Sequence, residues 1–145
     1  MEIKYILLVF LLVGCFSVLK AQSKKPASNA KPAVAAALKG SVQRGQAVYA
    51  ANCLSCHQVD GGGIPGMNAP LIKTSYVLGS SDKLVNILLK GMQGVEIDGE
   101  EYKNIMPAFT HLTNQQIADV LTYVRNNFGN KAPAVTVKEV AALRK

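Results

Sequence analysis

The chain has 145 residues, 49% of them hydrophobic and none of them Trp, which leaves room for one compact domain with appendages but hardly for two. The formal net charge of +7 is unevenly placed, because four lysines lie between residues 24 and 39 while residues 41–145 hold ten Lys and Arg against eight Asp and Glu. Such a nearly neutral body argues against a nucleic-acid-binding domain.

The N-terminus has the layout of an export signal. Residues 1–4, which include the charged Glu2 and Lys4, precede an apolar run that is shorter than the ~20 residues a membrane-spanning helix needs. Cleavage after Ala21, which makes residues 1–21 the signal, is favoured because apolar residues continue past Cys15. The alternative is a lipobox, in which residues 1–14 are removed and Cys15 is lipidated. Both predict an exported, periplasmic protein, with membrane contact only through a lipid on Cys15 or a membrane complex.

Residues 22–40 are rich in Ala, Lys and Pro and lack aromatic residues, which predicts a flexible linker before a domain over residues 41–145. Ser41 is the predicted N-cap of a helix that runs to about Asn52. A glycine inside a helix costs about 1 kcal/mol relative to alanine, so Gly45 indicates the close approach of another helix. The face that carries this glycine also contains Val42, Tyr49 and Cys53.

The middle of the domain is predicted to be mostly loop. The glycine-rich stretch 60–66 is incompatible with helix or strand. Ser81-Asp82 starts a short helix over Lys83 to Lys90, which Gly91 and Gly94 end. Residues 95–109 show no usable periodicity beyond the tight-turn pair Asp98-Gly99, so they are predicted to form a long loop.

The C-terminal part contains the clearest helix signal. Thr113 is the predicted N-cap with Gln116 three residues later, and Gly129 lies just past the end. A second capping box begins at Thr136. The domain is thus predicted to be mainly α, with three or four helices and long loops that need a large apolar ligand to complete the core. The apolar stripe of the main helix is Ile117, Val120, Leu121, Val124 and Phe128.

Cys53-Leu54-Ser55-Cys56-His57 has the C-x-x-C-H spacing that is typical of covalent haem c attachment, in which two thiols bind the vinyl groups and the imidazole binds iron. Three alternatives are weaker. A thioredoxin-type motif needs a βαβ pattern that is not found here. A zinc site that includes His111 would need the adjacent Cys56 and His57 on one tetrahedron. A Cys53–Cys56 disulfide would close a very small ring.

A methionine could bind the iron on the side opposite His57. Met67 and Met92 lie beside glycines in predicted loops, so core packing or exposure explains them better. Met106 lies in the unpatterned loop and is held extended by Pro107, which would aim its thioether from that loop. We therefore predict His57 and Met106 as the axial ligands.

With these motifs the chain resembles class I monohaem cytochromes c, particularly the small bacterial modules that serve periplasmic dehydrogenases, nitrite reductases and oxidases. The resemblance covers residues 41–145. It rests on Gly45-x-x-x-Tyr49, Cys53-x-x-Cys56-His57, Met106-Pro107-Ala108-Phe109 and the helix from Ile117 to Arg125.

The resemblance implies a class I fold in which the first and last helices cross and Tyr49 meets Val120 and Tyr123. It also implies that a carbonyl of Ala69-Pro70-Leu71 accepts a hydrogen bond from His57.

The function expected on this basis is single-electron transfer between periplasmic redox partners, a dehydrogenase, reductase or terminal oxidase, by an electron carrier that is not itself an enzyme. A haem c enzyme or gas-binding protein with an open iron site, and a metal-binding module without haem, remain the alternatives.

Several further residues are candidates to surround the haem. Tyr76, Tyr102 and Arg125 could hydrogen-bond the propionates or be surface groups. An acidic run at 96–101 is a solvated loop or a surface that steers a basic partner. The predicted apolar contacts are Tyr49, Leu71, Val85, Leu88 and Phe109.

Overall fold

The computed structural model describes residues 30–145, so the predicted export signal and residues 22–29 lie outside the described part. The predicted mainly helical architecture is confirmed. No helix in the described range is both long enough and apolar enough to cross a membrane. In chain order the elements are α1 (Ala30–Asn52), α2 (Leu54–His57), α3 (Ser75–Leu78), α4 (Ser81–Lys90), β1 (Val95–Ile97), β2 (Glu100–Tyr102), α5 (Asn114–Arg125) and α6 (Val137–Leu143).

Helix α1 begins at Ala30, which corrects two predictions. Residues 30–40 are helical rather than a flexible linker, and Ser41 lies inside the helix rather than at its N-cap. Alanine has the highest helix propensity, and a proline such as Pro32 is tolerated in the first turn, where its missing N–H group leaves no hydrogen bond unmade. The composition that suggested a flexible linker is therefore equally suited to an exposed helix.

The crossing of α1 and α5 forms the centre of the fold. A Cβ atom at Gly45 would overlap the backbone carbonyl oxygen of Asp119 and lie 2.7 Å from Cβ of Tyr123. One turn later, the buried Tyr49 ring packs against Tyr123 and Phe128, with ring centroids 5.3 and 5.4 Å apart. The close helix approach predicted from Gly45, and the implied contact of Tyr49 with Tyr123, are both confirmed.

A buried carboxylate fastens the same two helices. Asp119 accepts hydrogen bonds from Arg44 Nε at 2.7 Å, from Arg44 Nη2 at 2.8 Å and from Ser41 Oγ at 2.6 Å. Burial acts to raise the pKa of Asp119, but hydrogen bonds from Arg44, Ser41 and Gln115 outweigh it and hold the pKa below its usual range. Asp119 therefore stabilises the helix crossing in its ionised form.

Asp119→Asn is expected to reduce stability at pH 7 by about 1 kcal/mol, a modest value because the Arg44 side chain is more than half exposed. Since the folded pKa is depressed, the contribution of Asp119 is present above its unfolded pKa of about 3.9 and lost as the pH falls through the folded value. Denaturant unfolding at pH 7 and at pH 3 measures this. The gap between wild type and Asp119→Asn should shrink at pH 3, whereas Glu101→Gln on the exposed hairpin should match wild type throughout; a gap independent of pH would contradict the assignment.

Residues 95–109 are more ordered than predicted. Strands β1 and β2 form an antiparallel hairpin in which Val95 pairs with Tyr102 and Ile97 with Glu100. Asp98 and Gly99 both have positive φ, as a two-residue hairpin turn requires, so the predicted tight turn is confirmed. The prediction of a loop without secondary structure is wrong, because strands of three residues are too short to show an alternating pattern.

The predicted capping boxes at Thr113 and Thr136 are both present, and they start α5 and α6. Helix α5 is buried continuously from Ile117 to Arg125, including the predicted stripe up to Val124. It ends before Phe128, whose ring nevertheless packs edge-on against Tyr123 with centroids 5.6 Å apart. Helix α5 is therefore the central element of the fold, and the other helices pack around it.

Candidate functional site

A cleft of about 270 Å³ opens between the end of α1, the loop at 67–71, helix α4, the hairpin and helix α5. Most of its lining is apolar, which suits a large apolar ligand. Of the predicted contacts, Leu71, Leu88 and Phe109 line the cleft. Tyr49 and Val85 do not, because the first packs between Tyr123 and Phe128 and the second is fully buried in the core.

The C-x-x-C-H motif forms a helical turn at the edge of this cleft. The Cys53 N–H donates to the Tyr49 carbonyl at 2.9 Å, and the His57 N–H donates to the Cys53 carbonyl at 2.9 Å. Residues three and four apart in a helix lie on the same face, so the motif presents two thiols and an imidazole together. Cys53, Cys56 and His57 all line the cleft.

The orientation of His57 is set by one hydrogen bond. Its Nδ1 lies 2.9 Å from the carbonyl oxygen of Ala69. A carbonyl only accepts, so Nδ1 carries the hydrogen and Nε2 keeps its lone pair for a metal. Burial lowers the pKa of His57, and the hydrogen bond to Ala69 opposes that shift. The resemblance implied that a carbonyl of Ala69-Pro70-Leu71 accepts a hydrogen bond from His57, and this carbonyl is that of Ala69. The neutral imidazole is therefore oriented so that its Nε2 can bind a metal.

The cysteines do not have the properties of a thioredoxin-type pair. Both are free thiols, and burial, with a smaller contribution from Cys56, raises the pKa of Cys53 to about 11. A reactive cysteine of an oxidoreductase has a lowered pKa instead.

Within residues 30–145, no three His, Cys, Asp or Glu side chains come together as a metal-binding group, and His111 Nε2 lies 3.4 Å from Asn52 Oδ1. The described residues therefore support neither the disulfide nor the zinc alternative.

The backbone of Met106 is hydrogen-bonded to the backbone of a second methionine, Met92. The N–H groups of Met92 and Met106 each donate to the other's carbonyl at 2.9 Å, and Phe109 N–H donates to the Leu88 carbonyl at 2.7 Å. Met67, Met92 and Met106 all line the cleft. The sequence did not predict Met92 as a neighbour of Met106, because this pairing joins two segments that carry no strand pattern.

Two of the three candidates for propionate binding line the cleft. Tyr76 and Tyr102 do so, although the Tyr102 hydroxyl donates to Glu100 at 2.9 Å. Arg125 is buried in the protein frame, where it donates to the carbonyls of Val77 and Gly79, each at 2.9 Å. It also donates to a third carbonyl, that of Pro133, at 2.8 Å. Arg125 is therefore a buried structural residue outside the cleft lining, and the alternative that it is a surface group is wrong.

The acidic run lies on the hairpin beside the cleft. Asp98 accepts a hydrogen bond from the Ser75 N–H at 2.9 Å, and hydrogen bonding by the Ser75 side chain, followed by that of its backbone, lowers the pKa of Asp98. Glu96, Glu100 and Glu101 are exposed. Part of the run therefore holds the hairpin tip against α3, and the rest is solvated.

The sequence is similar to those of known cytochromes c. The cytochrome c family model matches residues 42–128. The chain is 36% identical over 107 residues to the gluconate 2-dehydrogenase cytochrome c subunit of Pantoea cypripedii, a match that covers 71% of this chain and 24% of that subunit. It is 34% identical over 110 residues to cytochrome c-552 of Thermus thermophilus, covering 69% of this chain and 83% of that protein.

A third relative is the alcohol dehydrogenase (quinone) cytochrome c subunit of Gluconacetobacter polyoxogenes, which is 36% identical over 103 residues covering 69% of this chain and 22% of the subunit. The chain thus matches less than a quarter of the length of either dehydrogenase subunit but most of cytochrome c-552. Two neighbouring thiols and an imidazole with a free Nε2, set in an apolar cleft, are the groups that covalent haem requires. The chain therefore belongs to the cytochrome c family, as an electron-transfer protein with covalently bound haem c.

Proposed function

We propose that this protein carries single electrons between periplasmic redox partners through a haem attached at Cys53 and Cys56, with iron held between His57 and Met106. The observation that carries this proposal is the shared apolar cleft. It receives both thiols, an imidazole with its Nε2 free, and the Met106 segment, which is fixed by hydrogen bonds. Six-coordinate iron leaves no site for a substrate, which favours electron transfer over catalysis.

Each residue has a defined part in this proposal. The thiols of Cys53 and Cys56 would hold the haem covalently, each by adding its S–H across one vinyl double bond, an addition that needs no oxidant or reductant. Ala69 holds the His57 ring in orientation through Nδ1 and makes Nε2 a better donor. The haem supplies a one-electron ferric/ferrous couple when bound. The apolar lining excludes water from that couple, and together with a thioether ligand this favours a raised reduction potential.

We propose a dehydrogenase as the electron donor, since two of the named relatives are cytochrome subunits of dehydrogenases. A reductase or terminal oxidase would then accept the electron. The predicted export signal supports a periplasmic location. Lipidation at Cys15 would add a membrane anchor to the same carrier.

The visible absorption spectrum tests the ligation. The ferric protein should show the weak far-red band that a bound methionine sulfur produces, and Met106→Ala should abolish it. Met92→Ala and Met67→Ala are the matched controls, because both methionines line the same cleft. Each control should keep the band.

Two results would contradict the proposed ligation. Loss of the band in Met92→Ala but not in Met106→Ala would identify Met92 as the ligand. Absence of the band in the wild-type protein, together with ready binding of cyanide or carbon monoxide, would favour the alternative of a haem enzyme or gas-binding protein with an open iron site.

A further inference from the structure

We infer that Gly91 is a positioning residue for Met106: its lack of a side chain lets the Met106 segment lie directly against the C-terminus of α4, which sets how closely the thioether approaches the iron. The inference rests on the proposed ligation for the iron contact. The position of the Met106 segment against α4, called its seating here, is a property of the polypeptide and is tested separately below.

Gly91 ends helix α4 in a conformation that only glycine adopts readily, with φ 78° and ψ −178°. Its N–H donates to the Ile87 carbonyl at 2.7 Å. A Cβ atom at this position would lie 2.7 Å from the Met106 carbonyl oxygen, 3.2 Å from the Ala108 nitrogen and 3.3 Å from the Pro107 carbonyl carbon. All three neighbours are backbone atoms, so no side-chain rotation could relieve the contact.

The Met106 segment cannot move away without breaking hydrogen bonds. Both backbone polar groups of Met106 are used by Met92, at 2.9 Å each. Farther along, Phe109 N–H donates to the Leu88 carbonyl of α4 at 2.7 Å. Pro107 has no N–H group to form a replacement. A side chain at position 91 would therefore push directly on a segment that is hydrogen-bonded on one side to Met92, just past the end of α4, and on the other side to Leu88 within α4.

Gly94 provides a matched comparison. It also has positive φ, at 57°, but a Cβ atom there would have no heavy atom within 4 Å. Alanine at either position carries a conformational cost, which is large at position 91 because φ 78° with ψ −178° is open essentially only to glycine. Only alanine at position 91 adds a contact with the Met106 segment. Readouts on the Met106 segment itself, rather than overall stability, therefore separate the contact from the backbone cost.

The experiment compares Gly91→Ala and Gly94→Ala holoproteins by far-red absorbance of the ferric form, cyanide binding, and hydrogen exchange of the Met92, Met106 and Phe109 amides. Gly91→Ala should lose most of the far-red band, bind cyanide more readily, and exchange these amides faster. Gly94→Ala should match wild type in all three. If Gly91→Ala matches Gly94→Ala in both band and exchange, the inference is wrong.

Ligation of the iron by Met106 and positioning of its segment by Gly91 would be contradicted by different results. A wild-type protein without the far-red band would overturn ligation by Met106, while hydrogen exchange would still test whether Gly91 seats the segment. Gly91→Asn is the second variant, because it adds a Cβ atom at the same place with a different side chain beyond it. If neither Gly91 variant folds while Gly94→Ala does, Gly91 is required for the fold as a whole, and its assignment as a positioning residue is overturned.

Discussion

Gly45→Ala is expected to reduce the stability of the folded domain by about 3 kcal/mol, although alanine is the better helix former by about 1 kcal/mol. The added methyl group would overlap the Asp119 carbonyl oxygen and press on Cβ of Tyr123. The first of these atoms belongs to the backbone of a buried helix, so relief requires α1 and α5 to separate. Separation would also loosen the packing of Tyr49 on Tyr123 and the pairing of Arg44 with Asp119.

Gly40→Ala is the matched control, because Gly40 belongs to the same helix and its Cβ would meet only the Arg44 guanidinium, at 3.4 Å. That variant should be as stable as wild type or slightly more stable. Thermal unfolding of the holoproteins measures both effects. The midpoint should fall by about 15 °C for Gly45→Ala. Equal midpoints for the two variants would show that the helices can separate at little cost, contrary to the close crossing described above.

The helix crossing could be predicted from sequence because its signal is local. A glycine at an inward-facing helical position is costly unless a neighbour needs the space, and Gly45 lies four residues before the buried Tyr49. The start of α1 could not be predicted in the same way. Ala and Lys are common both in exposed helices and in flexible linkers, and Pro is tolerated in the first turn of a helix. Only the continuation of the backbone from Ala30 into the packed helix distinguishes the two.

The site shows the same division between local and long-range signals. The C-x-x-C-H motif occupies five consecutive residues, so its chemistry can be inferred without the fold. The pairing of Met92 with Met106 depends on two backbone hydrogen bonds between separate segments, and neither side chain indicates it. Arg125 is the clearest example of a long-range role. A guanidinium beside an apolar stripe suggests an anion partner, but here it donates to three backbone carbonyls that the sequence could not bring together.

Cys53→Ala combined with Cys56→Ala is expected to remove the covalent haem and to unfold most of the domain. The cleft is lined by Leu84, Leu88 and Leu121, which also belong to the main core. Without a covalently held ligand, these leucine side chains would be exposed to water in the cleft. A ligand present at a thousand times its Kd contributes about 4 kcal/mol, and a covalently attached one contributes at least as much. That is a large part of the 5–15 kcal/mol typical of a folded domain.

Each single cysteine variant should keep the haem through the remaining thiol. Ser55→Ala should behave as wild type, since the exposed Ser55 hydroxyl lies 3.9 Å from the Cys56 sulfur and its removal leaves both thiols intact. Gel filtration in denaturant shows whether haem absorbance travels with the polypeptide, and far-UV circular dichroism reports the helices. Haem that stays attached in the double variant would overturn the assignment of Cys53 and Cys56. Helices that persist after the haem is lost would instead show that the crossing at Gly45 and the buried α5 suffice to hold the fold.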